Sequence, residues 1–280
     1  MSQIAEGVYV HVGKHHDFDE HYDGDIANIG FVVGSQSVAI IDTGGSFKVG
    51  AALREAVRLV TDLPIRYVIN THVHPDHIFG NAAFEQDHPV FVGHAKLPAT
   101  LELNRDNLIR ELQKELGNDA DGSKVIVPTQ IVTDTMDLDL GGRTLHLQAW
   151  PKAHTTTDLT VLDNKTSTFW TGDLLFITRT PSLDGDLKGW ISVIDQLKAI
   201  QAKVTVPGHG DPTDAKNEML DKEQNYLNLL LADVRLAIKN GVGLMDAIQT
   251  VGQGEKGRWV LFDAVNPRNV NLAYPQMEWE

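Results

Sequence analysis

Short runs of apolar, β-branched residues separated by polar and glycine-containing stretches open the chain. Val8-Tyr9-Val10-His11-Val12, Ile29 to Val33 and Ser37 to Asp42 are rich in β-branched residues and bounded by glycines, which predicts an opening β-meander. From Ser46 to Leu63 the period becomes helical, with apolar residues at Phe47, Val49, Leu53, Val57 and Val60 behind a serine suited to an N-cap; Pro64 closes it. Ile65 to Asn70 returns to strand. Pro89 to Val92 is a second such strand, and Leu97 to Leu116 a charged amphipathic helix. A β-rich half follows from about Gln130 to Phe176. Gly141-Gly142 and Asp163-Asn164 supply hairpin turns between the runs Thr144 to Trp150, Leu159 to Leu162 and Ser167 to Trp170. The final part predicts a helix over Trp190 to Ile200, a short strand over Val204 to Pro207, and a helix over Asp214 to Lys239 ending at Gly241. This order, strands and helices twice over, predicts two αβ halves with sheets face to face and helices outside. All 280 residues form a single domain in this reading, with a helical C-terminal extension at about 214–280.

Composition narrows the function. An apolar fraction of 42% is that of a globular chain with a sizeable core. The formal charge of −14 and the lack of a basic run speak against nucleic acid as partner. No apolar stretch approaches the ~18 residues of a membrane span. With no cysteine, thiolate metal sites, disulfides and thiol nucleophiles are all excluded. The first residues lack the basic-then-apolar pattern of a signal peptide, so the expected location is periplasmic with a leader already removed, and cytoplasmic otherwise.

The strongest local signal is Asn70-Thr71-His72-Val73-His74-Pro75-Asp76-His77 at the end of a buried strand. Its His-x-His-x-Asp-His pattern arises by chance in roughly one such chain in five hundred. Imidazoles and carboxylates are what borderline cations accept when no thiolate is offered. Four such groups on one turn cannot comfortably share one tetrahedral ion, but two ions can divide them: His72 and His74 for one, Asp76 and His77 for the other. Each ion then needs ligands from elsewhere, and His154, Asp173 and His209 all follow strand runs.

This set, in this order, resembles the metallo-β-lactamase superfamily, whose pattern is met from Asp42 to His209. The resemblance implies a four-layer αβ/βα sandwich of α/β (α+β) class, with the site on the edge between the sheets. It puts His72, His74 and His154 on one metal and Asp76, His77 and His209 on a second, with Asp173 bridging. The cofactor implied is two Zn²⁺, with iron or manganese as alternatives. Asp42-Thr43-Gly44 is similar to the family's early motif and implies that Asp42 orients a ligating histidine. More narrowly, Leu183 to Trp190 and Pro267 to Trp279 resemble a bacterial group labelled quinoprotein relay system zinc metallohydrolases, whose members are typically exported.

The function implied is a dinuclear zinc hydrolase of a small molecule, in which a bridging hydroxide attacks an ester, lactone, thioester or amide carbonyl, with Asp76 and His154 as catalytic residues. Dedicated β-lactamases of the superfamily carry Cys or Ser near Asp173, so lactam hydrolysis is expected as a side activity, with a β-lactamase proper as a further alternative. Phe176 replaces the tyrosine of the homoserine-lactone lactonases, and Pro207-Gly208-His209-Gly210 departs from the glutathione thioesterases. A mononuclear iron persulfide dioxygenase, using His72, His154 and Asp173, is the competing oxidoreductase; a binding protein on a spent scaffold would have lost ligands. His15-His16-Asp17-Phe18-Asp19-Glu20-His21-Tyr22-Asp23 reads as a lid, an accessory metal site or a solvated acidic loop, and its charge favours the last. Phe79, Phe176 and Trp190 are candidates for a substrate wall or for core. His11, His88, His94 and His146 read as structural or surface residues. Gly252-Gln253-Gly254-Glu255-Lys256-Gly257 has dinucleotide-loop spacing but follows a helical segment, so it is set aside.

Overall fold

The computed structural model describes residues 1–18 and 22–280. Strands β1 (Ser2–Ala5), β2 (Val8–His11), β3 (Ile29–Val33), β4 (Val38–Ile41), β5 (Ile65–Ile69), β6 (Val90–His94) and β7 (Gln130–Val132) form one sheet in sequence order. β1 to β4 are antiparallel, and β4 to β7 are parallel. The second sheet has the order β12-β11-β10-β9-β8, from β8 (Thr135–Asp139), β9 (Thr144–Ala149), β10 (Leu159–Asp163), β11 (Thr168–Phe176) and β12 (Val204–His209). β12 runs parallel to β11, and the other pairs are antiparallel.

The inner faces meet in a core of Val10, Ile41, Ile69 and Val92 from the first sheet with Leu145, Leu147, Val161 and Val206 from the second. Outside the first sheet lies α1 (Phe47–Val60), whose Ser46 cap accepts from Val49 N–H at 3.3 Å, as its sequence predicts. Outside the second lie α4 (Leu187–Ala199), α5 (Lys216–Lys239) and α7 (Phe262–Met277), joined in the largest core cluster by α6 (Leu244–Thr250). The expected four-layer sandwich is therefore present.

Four local expectations need correction. β7 belongs to the first sheet: it pairs in parallel with β6 (Val92↔Gln130) before the chain crosses over, so the second half begins at Thr135. β1 was not expected, because its largely exposed edge position imposes no apolar alternation. α4 starts at Leu187 rather than Trp190, since Asp186 caps it by accepting from Gly189 N–H at 2.6 Å. Finally, the stretch after the histidine cluster is helical: α2 (Pro75–Ile78) runs directly into a 3-10 segment, Phe79–Asp87. The region after α6 holds only a three-residue 3-10 turn, Gln253–Glu255, in keeping with setting the glycine-rich spacing aside.

The two sheets are also fastened by one charge. Arg143 holds Asp163 with two hydrogen bonds, 2.9 and 2.7 Å, and donates to the carbonyls of Glu6 and Val33 in the first sheet.

Candidate metal centre

The seven residues singled out from the sequence converge at the edge between the sheets; Asp173, expected to follow a strand, lies within one, because β11 runs on to Phe176. His72, His74, Asp76 and His77 follow β5, His154 lies in the β9–β10 connection, Asp173 is in β11 and His209 ends β12. Their ligand atoms fall into two sets, His72, His74, His154 with Asp173, and Asp76, His77, His209, the atoms within each set lying inside 4.8 Å of one another. These are the metal-capable groupings among the described residues.

Asp173 touches both sets. One carboxylate oxygen lies 3.3 Å from His154 Nε2, 3.4 Å from His209 Nε2 and 3.6 Å from His72 Nε2, while the other is 3.2 Å from His77 Nε2. Gly208 makes room for it: a Cβ there would stand 1.8 Å from Asp173 Oδ1. Asp76 closes the second set at 3.4 Å from His209 Nε2 and 3.6 Å from His77 Nε2.

The far nitrogen of every histidine is anchored. His77 Nδ1 meets Asp42 Oδ2 at 2.8 Å, and the same carboxylate accepts from Thr71 N–H and Thr71 Oγ1, which lies 3.0 Å from His72 Nδ1. His154 Nδ1 donates to Ser182 O, His209 Nδ1 to Ile26 O, and His74 Nε2 to Asp184 Oδ2 at 3.1 Å. Each remaining nitrogen therefore faces the cluster, the orientation that metal-binding imidazoles require, and His154 Nε2 meets His74 Nδ1 there at 3.0 Å. Asn70 and Asn81 exchange amide hydrogen bonds of 3.1 and 2.8 Å beneath the turn and hold its ends together. The orienting role expected of Asp42 is thus visible as contacts, from a left-handed backbone (φ 52°) that aspartate tolerates. Asp42→Ala is expected to weaken cation binding by about 10–100-fold, measured by chelator competition; unchanged affinity would refute the role.

The site passes a test of fit to cations. His72 Nε2, His77 Nε2 and Asp173 Oδ1 are buried and make no hydrogen bond, a costly state that an electropositive guest relieves. Burial and the neighbouring His77 push His72 well below its ordinary range. Burial also disfavours the charged form of His77, but the carboxylates of Asp173, Asp76 and Asp42 outweigh it and raise its pKa well above. At Asp173, burial is outweighed by the fields of His209, His77 and His72, which hold the carboxyl well below the usual range.

The sequence profile of the metallo-beta-lactamase superfamily matches residues 22–209. The chain belongs to the metallo-beta-lactamase superfamily. It is 26% identical over 224 residues to a linear primary-alkylsulfatase of Pseudomonas sp. (strain ATCC 19151), an alignment that takes in 66% of this chain and 41% of that protein. Among solved structures, the sec-alkylsulfatase Pisa1 from Pseudomonas sp. covers 98% of the chain at 17% identity and TM-score 0.69, over 49% of its own length. A metallo-beta-lactamase from Pontibacter korlensis covers 81% at 21% identity and TM-score 0.65, over 97% of its own length. At such identities the structural likenesses show the fold. The chain spans about half or less of the length of the two alkylsulfatases.

Several residues around this metallo-beta-lactamase-type centre were not expected from sequence. Asp184 lies in the stretch Leu183 to Trp190, but nothing local marks it as a partner of His74. Arg179, just beyond β11, is buried and donates to His16 O at 2.8 Å, while its Nε has no partner. The residue before it, Thr178, has φ 71°, a strained conformation for a β-branched residue. Tyr22 is buried, its hydroxyl without a partner.

The loop from His15 to Asp23 is tied down near its start by Arg179 on the His16 carbonyl and by a two-pronged bond from Arg268 on α7 to Asp17, at 3.1 and 2.7 Å, and at Asp23 by Lys14. Asp19, Glu20 and His21 lie outside the described residues. Phe79, Phe176 and Trp190 are all fully buried and so act as core. Phe176 and Trp190 also pack on His154, at 5.6 and 5.2 Å between ring centres.

Glu223, inside α5, is fully buried, with one oxygen accepting from Phe176 N–H at 2.9 Å and the other unpartnered. Burial pushes its carboxyl well above the ordinary 4.5. The acid stays neutral in the fold but ionises in the unfolded chain, so stability complete below pH 4.5 falls as pH rises toward the folded pKa. Glu223→Gln escapes this loss and is expected to gain on the wild type by up to about 1.4 kcal/mol per pH unit over that window. Urea unfolding at pH 5 and pH 8 checks it; a constant difference would contradict the prediction.

Proposed function

We propose that the protein is a dinuclear zinc hydrolase of small ester-type substrates. The observation that carries this reading is the pair of complete ligand sets joined by Asp173, which reaches a histidine of each. The donors are all nitrogen and oxygen, which suits zinc and also admits iron or manganese. Two such cations supply Lewis acidity and lower the pKa of water toward neutrality, so the protein needs no nucleophilic side chain.

The chain's own residues do the rest. Asp42, Asp184, Ser182 O and Ile26 O hold the imidazoles in one tautomer and orientation. Burial alone would raise the pKa of Asp76, but the fields of His77 and His209 prevail, so it is a carboxylate at neutral pH and can take and return a proton beside the reacting bond. His74 is half-buried, the least enclosed of the five histidines, and marks the side from which substrate enters. Retention of Asp76, His77 and His209 as a set favours two metals over the mononuclear iron oxygenase.

A second reading, sulfate-ester hydrolysis, is favoured by the alkylsulfatase structure that spans 98% of the chain, C-terminal helices included. The buried Arg179, with one N–H unused, supports a substrate that carries negative charge.

Plasma mass spectrometry on protein purified without added metal is expected to find about two zinc per chain. The protein should then hydrolyse carboxylic aryl esters or lactones, and preference for alkyl sulfates over both would select the second reading. One iron with no second metal would overturn both in favour of redox chemistry.

A further inference from the structure

Glu223 breaks the pattern of its own helix. α5 turns Leu220, Tyr226, Leu227 and Leu230 into the core on the same face, and at a position where that periodicity demands an apolar side chain it places a fully buried acid. Among the described residues its one hydrogen-bond partner is the backbone N–H of Phe176, 47 residues away.

The place of Phe176 gives that bond its meaning. It is the last residue of β11, set opposite His209 of β12 after an irregularity in the register between Gly172 and Phe176. There the ladder slips, and the N–H of Phe176 takes its acceptor from the helical layer instead. The Phe176 ring stacks on His209 with centres 5.1 Å apart and planes 12° from parallel. Just beyond, Ile177 N–H donates to His209 O at 2.9 Å.

We infer that Glu223 is a positioning residue for the second ligand set: by holding the Phe176 backbone it seats the ring against which His209 is aimed at Asp76 and Asp173. The inference rests on the dinuclear reading and adds a residue to it from the C-terminal helices, outside the part of the chain that matches the family profile.

The test compares Glu223→Met, which keeps the bulk but removes the acceptor, with Glu223→Gln, which keeps the acceptor. Phe176→Leu, which removes the ring, is the third variant. Zinc is titrated into each metal-stripped protein against a chromogenic chelator to give two stepwise affinities, with circular dichroism as the check on folding. Wild type and Glu223→Gln are expected to hold two zinc alike. Glu223→Met should bind one zinc at least about tenfold less tightly, with the other changed less than about twofold, whereas Phe176→Leu, whose ring also packs on His154 of the first set, should weaken both. If Glu223→Met fails to fold, Phe176→Leu decides. Two affinities equal to wild type in the folded variants, equal weakening of both in Glu223→Met, or failure of Glu223→Gln to match wild type would each overturn the role of Glu223. A wild type that takes no second zinc would instead overturn the dinuclear reading itself.

Discussion

Asp173→Ala is expected to lose the second zinc equivalent, to weaken the first, and to lower turnover by about 10²–10³-fold or more. The reason is its position. The carboxylate stands within 3.2–3.6 Å of four imidazole nitrogens, so its removal takes a ligand from both sets and the one negative charge they share. Asp173→Asn preserves the shape but not the charge and should bind metal almost as poorly. The fold itself should persist, because the site lies at the sheet edge, apart from the apolar layers of Ile41, Ile69, Leu147 and Val206 that join the sheets. Metal content, circular dichroism and ester turnover on one preparation check this; a folded Asp173→Ala protein with two zinc would disprove the bridge.

Arg143→Ala carries the largest expected loss of stability, about 3 kcal/mol. Its guanidinium and Asp163 are both buried, and it also takes the carbonyls of Glu6 and Val33, so truncation strands a carboxylate and two acceptors between the sheets. The loss stays at the lower end of the range for broken buried pairs because Asp163 still accepts from Lys165 N–H and Thr166 N–H. Burial would raise the pKa of Asp163, but the Arg143 hydrogen bond outweighs it and holds the carboxyl below its ordinary 3.8. The bridge therefore contributes above pH 3.8 and fades as pH falls through the lowered folded value, so the deficit of Arg143→Ala should shrink in acid. Urea unfolding at pH 7 and at a pH well below 3.8 measures both, and Arg143→Met with Asp163→Leu should recover much of the loss.

The ligand set was legible because its chemistry is local. His72 to His77 place four imidazole or carboxylate groups in six residues, and His154, Asp173 and His209 each follow a strand-like run, a pattern that survives without coordinates. Strands and helices were legible where one face is buried, as in α1 with Leu53 and Val57 inward. They were not legible where burial imposes no period. The edge strand β1, the 3-10 segment at Phe79–Asp87 and the sheet to which β7 belongs are decided by what lies beside them.

The sequence by itself determined the layer order, the absence of thiolate chemistry and the seven residues whose nitrogen and oxygen atoms gather at the sheet edge. Their aim came from the tertiary structure alone. The bond from Asp42 to His77 spans 35 residues, that from His74 to Asp184 spans 110, and that from Glu223 to Phe176 spans 47. A single aspartate or glutamate bears no local mark of a partner so distant. Periodicity reports which face of an element is buried, but a hydrogen bond between elements depends on where each comes to rest, and that is settled only when the two sheets close on their common core.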